Sequence, residues 1–185
     1  AQRKKKKKKD KTEAAAPKPK SKDKSIKDLT KSSKKIEGLF TMYRDTITGS
    51  LQMVISDEQL GKEYIHFNQV SNGVIDAGRF RGAYGGSKVF KVKKYFNKIE
   101  FVSQNTTFYF DPENAISKSK DANMSEGIMA TVKIEAHDKK EGLYLIKADG
   151  LFLKETFSQV KPPRFPGSSP LAFTLGNLDK TKTKI

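Results

Sequence analysis

Ile128-Met129-Ala130-Thr131-Val132-Lys133-Ile134-Glu135-Ala136 is followed, after the polar segment Asp138-Lys139-Lys140-Glu141-Gly142, by Leu143-Tyr144-Leu145-Ile146-Lys147-Ala148. Both apolar runs are rich in β-branched and aromatic residues, and much of the first alternates apolar with polar side chains, as a half-buried strand does. A short connection that ends in glycine joins such strands as a hairpin. This pair of runs therefore predicts antiparallel β structure.

Runs of the same character lie upstream and are separated by turn-forming residues. Asp45-Thr46-Ile47-Thr48-Gly49-Ser50 predicts one hairpin loop, and Asn97-Lys98 predicts a two-residue turn. We therefore predict a mainly β fold, an antiparallel sandwich or roll with one or two short helices, preceded by a disordered Lys-rich tail. The predicted strands cover residues 39–43, 51–55, 63–70, 88–96 and 99–102, with 106–110 extending or repeating the last of these.

Short helical segments are predicted at two places, and a third stretch is open between strand and helix. Ser25 is placed to cap a short helix that carries Ile26, Leu29 and Ile36. Residues 56–61 begin with serine and end with glycine, which predicts one helical turn. Residues 151–153 are compatible with either a strand or a short helix.

The positive charge is concentrated at one end of the chain. Residues 1–36 carry a net charge of +12, out of +16 for all 185 residues. Stretches of like charge with almost no apolar residues stay disordered. We expect a disordered Lys-rich tail at 1–24, a short helix or linker at 25–37, a β-rich domain at 38–160, and at 161–185 a Pro/Gly/Ser-rich linker with the start of a further, truncated segment.

Neither catalytic nor metal-binding residues are predicted. The sequence has no cysteine, which excludes thiolate ligands and nucleophiles. His66 falls in a predicted strand and His137 at a hairpin edge, without the spacing of a zinc site. No serine has the G-x-S-x-G context of a hydrolase, and no Gly-rich phosphate loop occurs. No cofactor is therefore expected in this chain.

Two stretches are candidates for binding. The lysine run can neutralise anions without sequence preference, and Arg79-Phe80-Arg81-Gly82-Ala83-Tyr84 interleaves basic with aromatic residues. The second pattern is typical of a stacking platform for nucleic acid, but we favour a loop whose aromatics tuck against the sheet, with Gly82, Gly85 and Gly86 supplying unusual backbone angles. No specific nucleic-acid site is predicted. The candidate anion-binding residues are Lys4, Lys5, Lys6, Lys7, Lys8 and Lys9, and the candidate contact residues are Arg79, Phe80, Arg81 and Tyr84.

Several segments together resemble the N-terminal region of large bacterial zinc-dependent metalloproteases of the cell envelope. Gly38-Leu39-Phe40-Thr41 is similar to the "GLFT" strand of that family, and Ala148-Asp149-Gly150-Leu151-Phe152-Leu153 is similar to its "A-D-x-L-F-L" element. The remaining matches are residues 55–61, 63–65, 125–128, 173–176 and 182–185, in the family's order.

The resemblance implies an exported protein of the periplasm or cell envelope, in which a zinc-binding catalytic domain follows uncharacterised β-rich domains. This chain contains no H-E-x-x-H motif, so zinc is expected only in the catalytic domain, which is absent here. The function that follows is a non-catalytic N-terminal accessory domain, with the downstream catalytic domain as its partner. The alternative is a stand-alone module that binds polyanions (nucleic acid, anionic polysaccharide or a membrane surface) through the Lys-rich tail.

Overall fold

The computed structural model describes residues 24–73, 75, 79–119, 124–159 and 166–167. Residues 1–23 and nearly all of 161–185 lie outside this part, so the predictions of a Lys-rich tail and of a C-terminal linker stay predictions. The strands are β1 Ser33–Ile36, β2 Thr41–Asp45, β3 Leu51–Ser56, β4 Glu63–Gln69, β5 Tyr84–Tyr95, β6 Lys98–Ser103, β7 Gly127–Asp138 and β8 Leu143–Lys147. The described part also has two single-turn helices, α1 Ile26–Leu29 and α2 Asp149–Phe152, and 3-10 turns at Asp57–Gln59 and Ala115–Ser119.

The strands form one antiparallel sheet that curls into a half-barrel, which confirms the predicted mainly β fold. Their spatial order is β1-β2-β3-β8-β7-β6-β5-β4. The predicted hairpin of residues 128–148 is β7 and β8, and β8 pairs with β3 at the centre of the sheet. After β3 the chain crosses to the far edge, where β4 pairs with β5. A single curled sheet is the roll rather than the sandwich of the two predicted architectures.

The main core fills the inner face of the curl. Ile55, Val92, Ile99 and Ile146 have no exposed surface, and they come from four different strands. Phe40, at the entrance to β2, packs its ring 4.9 Å from that of Tyr64 on β4, so the two sides of the curl meet. Burying one such aliphatic side chain stabilises the fold by roughly 1.5–3 kcal/mol.

A smaller core lies on the outer face and explains α1. Ile26 and Leu29 of α1 pack on a cluster that includes Val54, Ala136 and Leu145. Ser25 caps this helix, because its hydroxyl accepts the N–H of Asp28 at 3.1 Å while the Asp28 carboxylate accepts the N–H of Ser25. The predicted cap is therefore confirmed.

Some predicted boundaries were wrong. Ile36 belongs to β1, which pairs with β2, so the sheet begins before residue 38 and α1 ends at Leu29. Lysine dominates β1, and an edge strand with little burial has no apolar alternation to reveal it. Residues 106–110 form no strand. Residues 151–153, left open between strand and helix, fall largely in α2.

The β5–β6 turn lies one residue earlier than predicted. Its two central residues are Phe96 and Asn97, because β6 already begins at Lys98. Phe96 has a φ of 49°, a left-handed conformation that bulky side chains rarely adopt. Sequence rules place glycine or asparagine in such a position, which is why they misplaced this turn.

Candidate interaction surface

An exposed apolar patch lies on the outer face of edge strand β4 and its neighbour β5. Ile65 is 74% exposed and Phe67 58% exposed, while the alternate residues Tyr64 and His66 face inward. The ring of Tyr84 on β5 lies 5.4 Å from that of Phe67. We call Ile65, Phe67 and Tyr84 the edge patch. Large side chains rarely stay clustered in water on a sheet edge unless they contact another molecule.

The predicted contact residues divide between a loop and this patch. Arg79, Phe80 and Arg81 lie in the loop that joins β4 to β5, whereas Tyr84 is the first residue of β5. Phe80 is 58% exposed, so the prediction that it tucks against the sheet was wrong, whereas the 59% exposed ring of Tyr84 lies on the sheet beside Phe67. Tyr84 belongs to the edge patch because its ring lies against Phe67. Its hydroxyl donates a hydrogen bond to Ser87 Oγ at 2.9 Å.

Two different constraints act on the glycines of this region. Gly82 and Gly86 have φ of 82° and 104°, which confirms that they supply unusual backbone angles. For Gly85 the prediction was wrong, because its φ is not positive; a Cβ there would instead lie 2.5 Å from Oδ1 of Asn68 on β4, so that side chain would have to move. Close approach at Gly85 thus sets how the end of β4 packs on β5.

The segment after α2 crosses the mouth of the curl and reaches the same edge. Phe157 is 7% exposed, and its ring lies 5.3 Å from that of Phe101 and 5.4 Å from that of His66. Nδ2 of Asn68 donates a hydrogen bond to Oγ of Ser158. Ser158, close to the end of this described segment, therefore lies beside the end of β4.

A cavity of about 200 Å³ opens between this segment and the inner face. Its volume is below the roughly 300–1,000 Å³ typical of small-molecule sites. The polar groups that reach it belong to Tyr64 and His66, and Tyr64 donates its hydroxyl to the carbonyl of Gln59 at 3.2 Å. Apolar residues, most of them phenylalanines, line the rest, which is the lining of a hydrophobic core and not of a catalytic site.

The two histidines are not part of a metal site in the described residues. His66 stacks on Phe157, and burial together with the nearby positive charge of Lys88 lowers the pKa of its imidazole. His137 stacks on Tyr144, with ring centroids 4.4 Å apart. Across the described ranges no three His, Cys, Asp or Glu side chains gather as a metal-binding group.

A second surface lies at the end of the sheet where β5 turns into β6 and β7 into β8. A groove of about 620 Å³ separates these two hairpin turns. Lys24, Lys94, Lys139 and Lys140 line it together with Phe96, which is 78% exposed. The sequence analysis missed this surface. Its only signal was Tyr95-Phe96 standing between lysines beside a turn, and that pattern equally suits a half-buried strand end.

The predicted anion-binding residues Lys4 to Lys9 lie outside the described residues. Comparison of the chain with protein-family models, with curated proteins and with solved structures found no match. None of the described helices is long and apolar enough to cross a membrane. The two surfaces, the edge patch and the lysine-lined groove, are therefore the basis for inferring function.

Proposed function

We propose that this chain is a non-catalytic accessory domain of an exported, envelope-associated zinc-dependent metalloprotease, and that the edge patch docks the catalytic domain. The resemblance of residues 38–41 and 148–153 to such proteins supports the choice of parent. The observation that supports docking is the exposure of Ile65 and Phe67 on an edge strand. Zinc then belongs to the catalytic domain and not to this one.

The two edges of the sheet differ in a way that favours docking at β4. Lys34 and Lys35 are exposed on edge strand β1, and lysines on an edge discourage pairing with other chains. On the opposite edge of the sheet, β4 exposes the apolar side chains of Ile65 and Phe67 instead of lysines. An edge strand seven residues long with this composition would aggregate if it were left uncovered. A partner that covers β4 removes that liability.

The path of the chain supports a partner from the same polypeptide. The hydrogen bond between Asn68 and Ser158 holds the described segment that ends at Gln159 against the end of β4. A catalytic domain in the same polypeptide would be linked to the segment that contacts β4. Tethering raises the effective concentration of a linked domain to the millimolar range, so a modest patch suffices for stable contact.

The first test is to read the coding frame past Ile185 and to express the longer protein. We expect a zinc-binding helix motif downstream, and slower hydrogen exchange at Glu63–Gln69 in the longer protein than in residues 1–185. A frame with no such motif would remove the proposed parent. Unchanged exchange on β4 beside an intact catalytic domain would remove the docking role.

The second test uses variants of the patch. Ile65→Lys with Phe67→Lys is expected to weaken binding of the separately expressed catalytic region by at least tenfold, because two large apolar contacts are lost. Ile47→Lys is the matched control, since Ile47 is 84% exposed and lies in the β2–β3 loop away from the patch. Equal binding by the double variant and the control would contradict the proposal.

The alternative function, polyanion binding through the Lys-rich tail, stays a prediction. One described feature favours it: Lys24, which follows directly on residues 1–23, lines the lysine-lined groove. Affinity for an anionic polymer is then expected to fall steeply with salt and to be lost when residues 1–23 are deleted. Binding that is unchanged by that deletion would exclude the tail.

A further inference from the structure

We infer that the β5–β6 hairpin tip is a contact site for an anionic lipid surface, with Phe96 as the side chain that enters the interface. The inference goes beyond the accessory-domain proposal and uses none of its residues. It also differs from the tail alternative, because the site belongs to the folded sheet.

The conformation of the tip is the first observation. Tyr95 is 57% exposed and Phe96 78% exposed, and their rings meet edge to face at 4.7 Å. Phe96 holds a φ of 49°, where glycine or asparagine would be free of strain. A bulky apolar side chain at a strained and exposed position contributes nothing to the core. Strain retained in this way is characteristic of functional sites.

The charges around the tip are the second observation. Lys98 lies directly opposite Lys133 in the β6–β7 pairing, and both side chains are exposed. Like charges directly opposite each other destabilise a sheet. An anion bound between Lys98 and Lys133 would reduce the repulsion between them. The tip therefore carries aromatic rings and exposed lysines, and none of the ion pairs among the described residues involves Lys98 or Lys133.

The lysine-lined groove extends the positive surface. Its lysines, Lys24, Lys94, Lys139 and Lys140, outnumber its two acids, Glu135 and Asp138. The carboxylate of Asp138 is engaged by its own turn, because Oδ1 accepts the N–H of Lys140 at 3.0 Å. Lys24 is also covalently continuous with the lysine run at residues 4–9.

The combination favours a lipid surface over nucleic acid. Successive bases stack on ring faces, whereas the rings of Tyr95 and Phe96 are inclined at 85° and do not offer two parallel faces. An exposed Phe and Tyr surrounded by lysines is the composition of segments that lie in the membrane interface, where each lysine near an anionic surface adds roughly 1 kcal/mol.

The test exploits the absence of tryptophan from the sequence. In the full chain, Phe96→Trp introduces the only indole, whose emission is expected to shift to the blue with vesicles of phosphatidylcholine and phosphatidylglycerol. Brominated lipids are expected to quench it. Ile47→Trp, in the β2–β3 loop at the opposite end of the sheet, is the control and should show neither effect.

A second variant separates binding from folding. Phe96→Asn is expected to lower partition into the same vesicles by about tenfold, because the variant has no phenyl ring to transfer from water into the lipid. Its Tm should hold or rise, since asparagine tolerates a positive φ. A misfolded variant cannot give this pair of results.

Three outcomes would overturn the inference. Vesicle binding without any change at the introduced indole would assign that binding to the lysine run alone. No binding to the mixed vesicles, at a salt concentration of about 0.15 M where charges are screened over about 8 Å, would leave the tip without a lipid role. Stronger quenching by a single-stranded oligonucleotide than by vesicles would make nucleic acid the ligand.

Discussion

The hydroxyl of Tyr144 on β8 donates a 2.6 Å hydrogen bond to Oδ1 of Asp57, the first residue of the turn that leaves β3. The N–H of Asp57 in turn donates to the carbonyl of Gly142 at 2.8 Å. These bonds join the β7–β8 turn to the point where the chain leaves the centre of the sheet for β4.

Tyr144→Phe is expected to lower the free energy of unfolding by about 1–2 kcal/mol, because the Asp57 carboxylate loses its side-chain donor. Denaturant titration followed by circular dichroism measures this. Tyr95→Phe is the control, since that ring is 57% exposed and its change should stay within about 0.5 kcal/mol. Equal effects of the two substitutions would mean that the hydrogen bond to Asp57 contributes no stability.

The same bond predicts a dependence on alkaline pH. Hydrogen bonding to Asp57, then burial, then the negative charge of that carboxylate raise the pKa of Tyr144 from 10.0 to about 12. The folded state holds this proton more tightly than the unfolded state does. The resulting stability is therefore complete below pH 10 and is lost as pH rises towards 12. Unfolding curves across that window should slope less for Tyr144→Phe than for the wild type.

Gly85→Ala is expected to reduce stability by about 0.5–1.5 kcal/mol, because the added methyl group displaces the Asn68 side chain from its hydrogen bond. With that hydrogen bond to Ser158 lost, residues near 158 should exchange their amide hydrogens faster. Gly127→Ala is the control, since its Cβ would meet Ser103 at an ordinary 3.7 Å. If Gly85→Ala were as stable as this control, the close packing at the end of β4 would be unimportant.

The sheet was predictable where burial imposes a pattern. β3 and the β7–β8 hairpin contribute side chains to both cores, and their apolar runs showed in the sequence. β1 was missed because Lys34 and Lys35 face solvent, and a strand identified by backbone pairing alone leaves no periodic signal.

The surfaces were less predictable because they depend on which strand ends at an edge. Ile65 and Phe67 look like core residues until the strand order places β4 last in the sheet. Phe96 occupies a turn position that glycine or asparagine usually takes. A prediction based on that preference therefore places the turn one residue too late. Tyr84 was named from its neighbours Phe80 and Arg81, but it contacts Phe67, and only the register of β4 and β5 brings those two rings together.

His66 predicts a loss of stability in acid. Burial and the charge of Lys88 lower the pKa of His66, so the folded state favours the neutral imidazole that stacks on Phe157. The unfolded state binds the proton more readily, with a pKa near 6.5. This contribution is therefore complete above pH 6.5 and disappears as pH falls through the lower, folded pKa. His66→Gln should flatten the stability profile between neutral and mildly acidic pH, measured by denaturant titration at each pH. A profile that stayed equally steep in His66→Gln would assign the acid sensitivity to other groups.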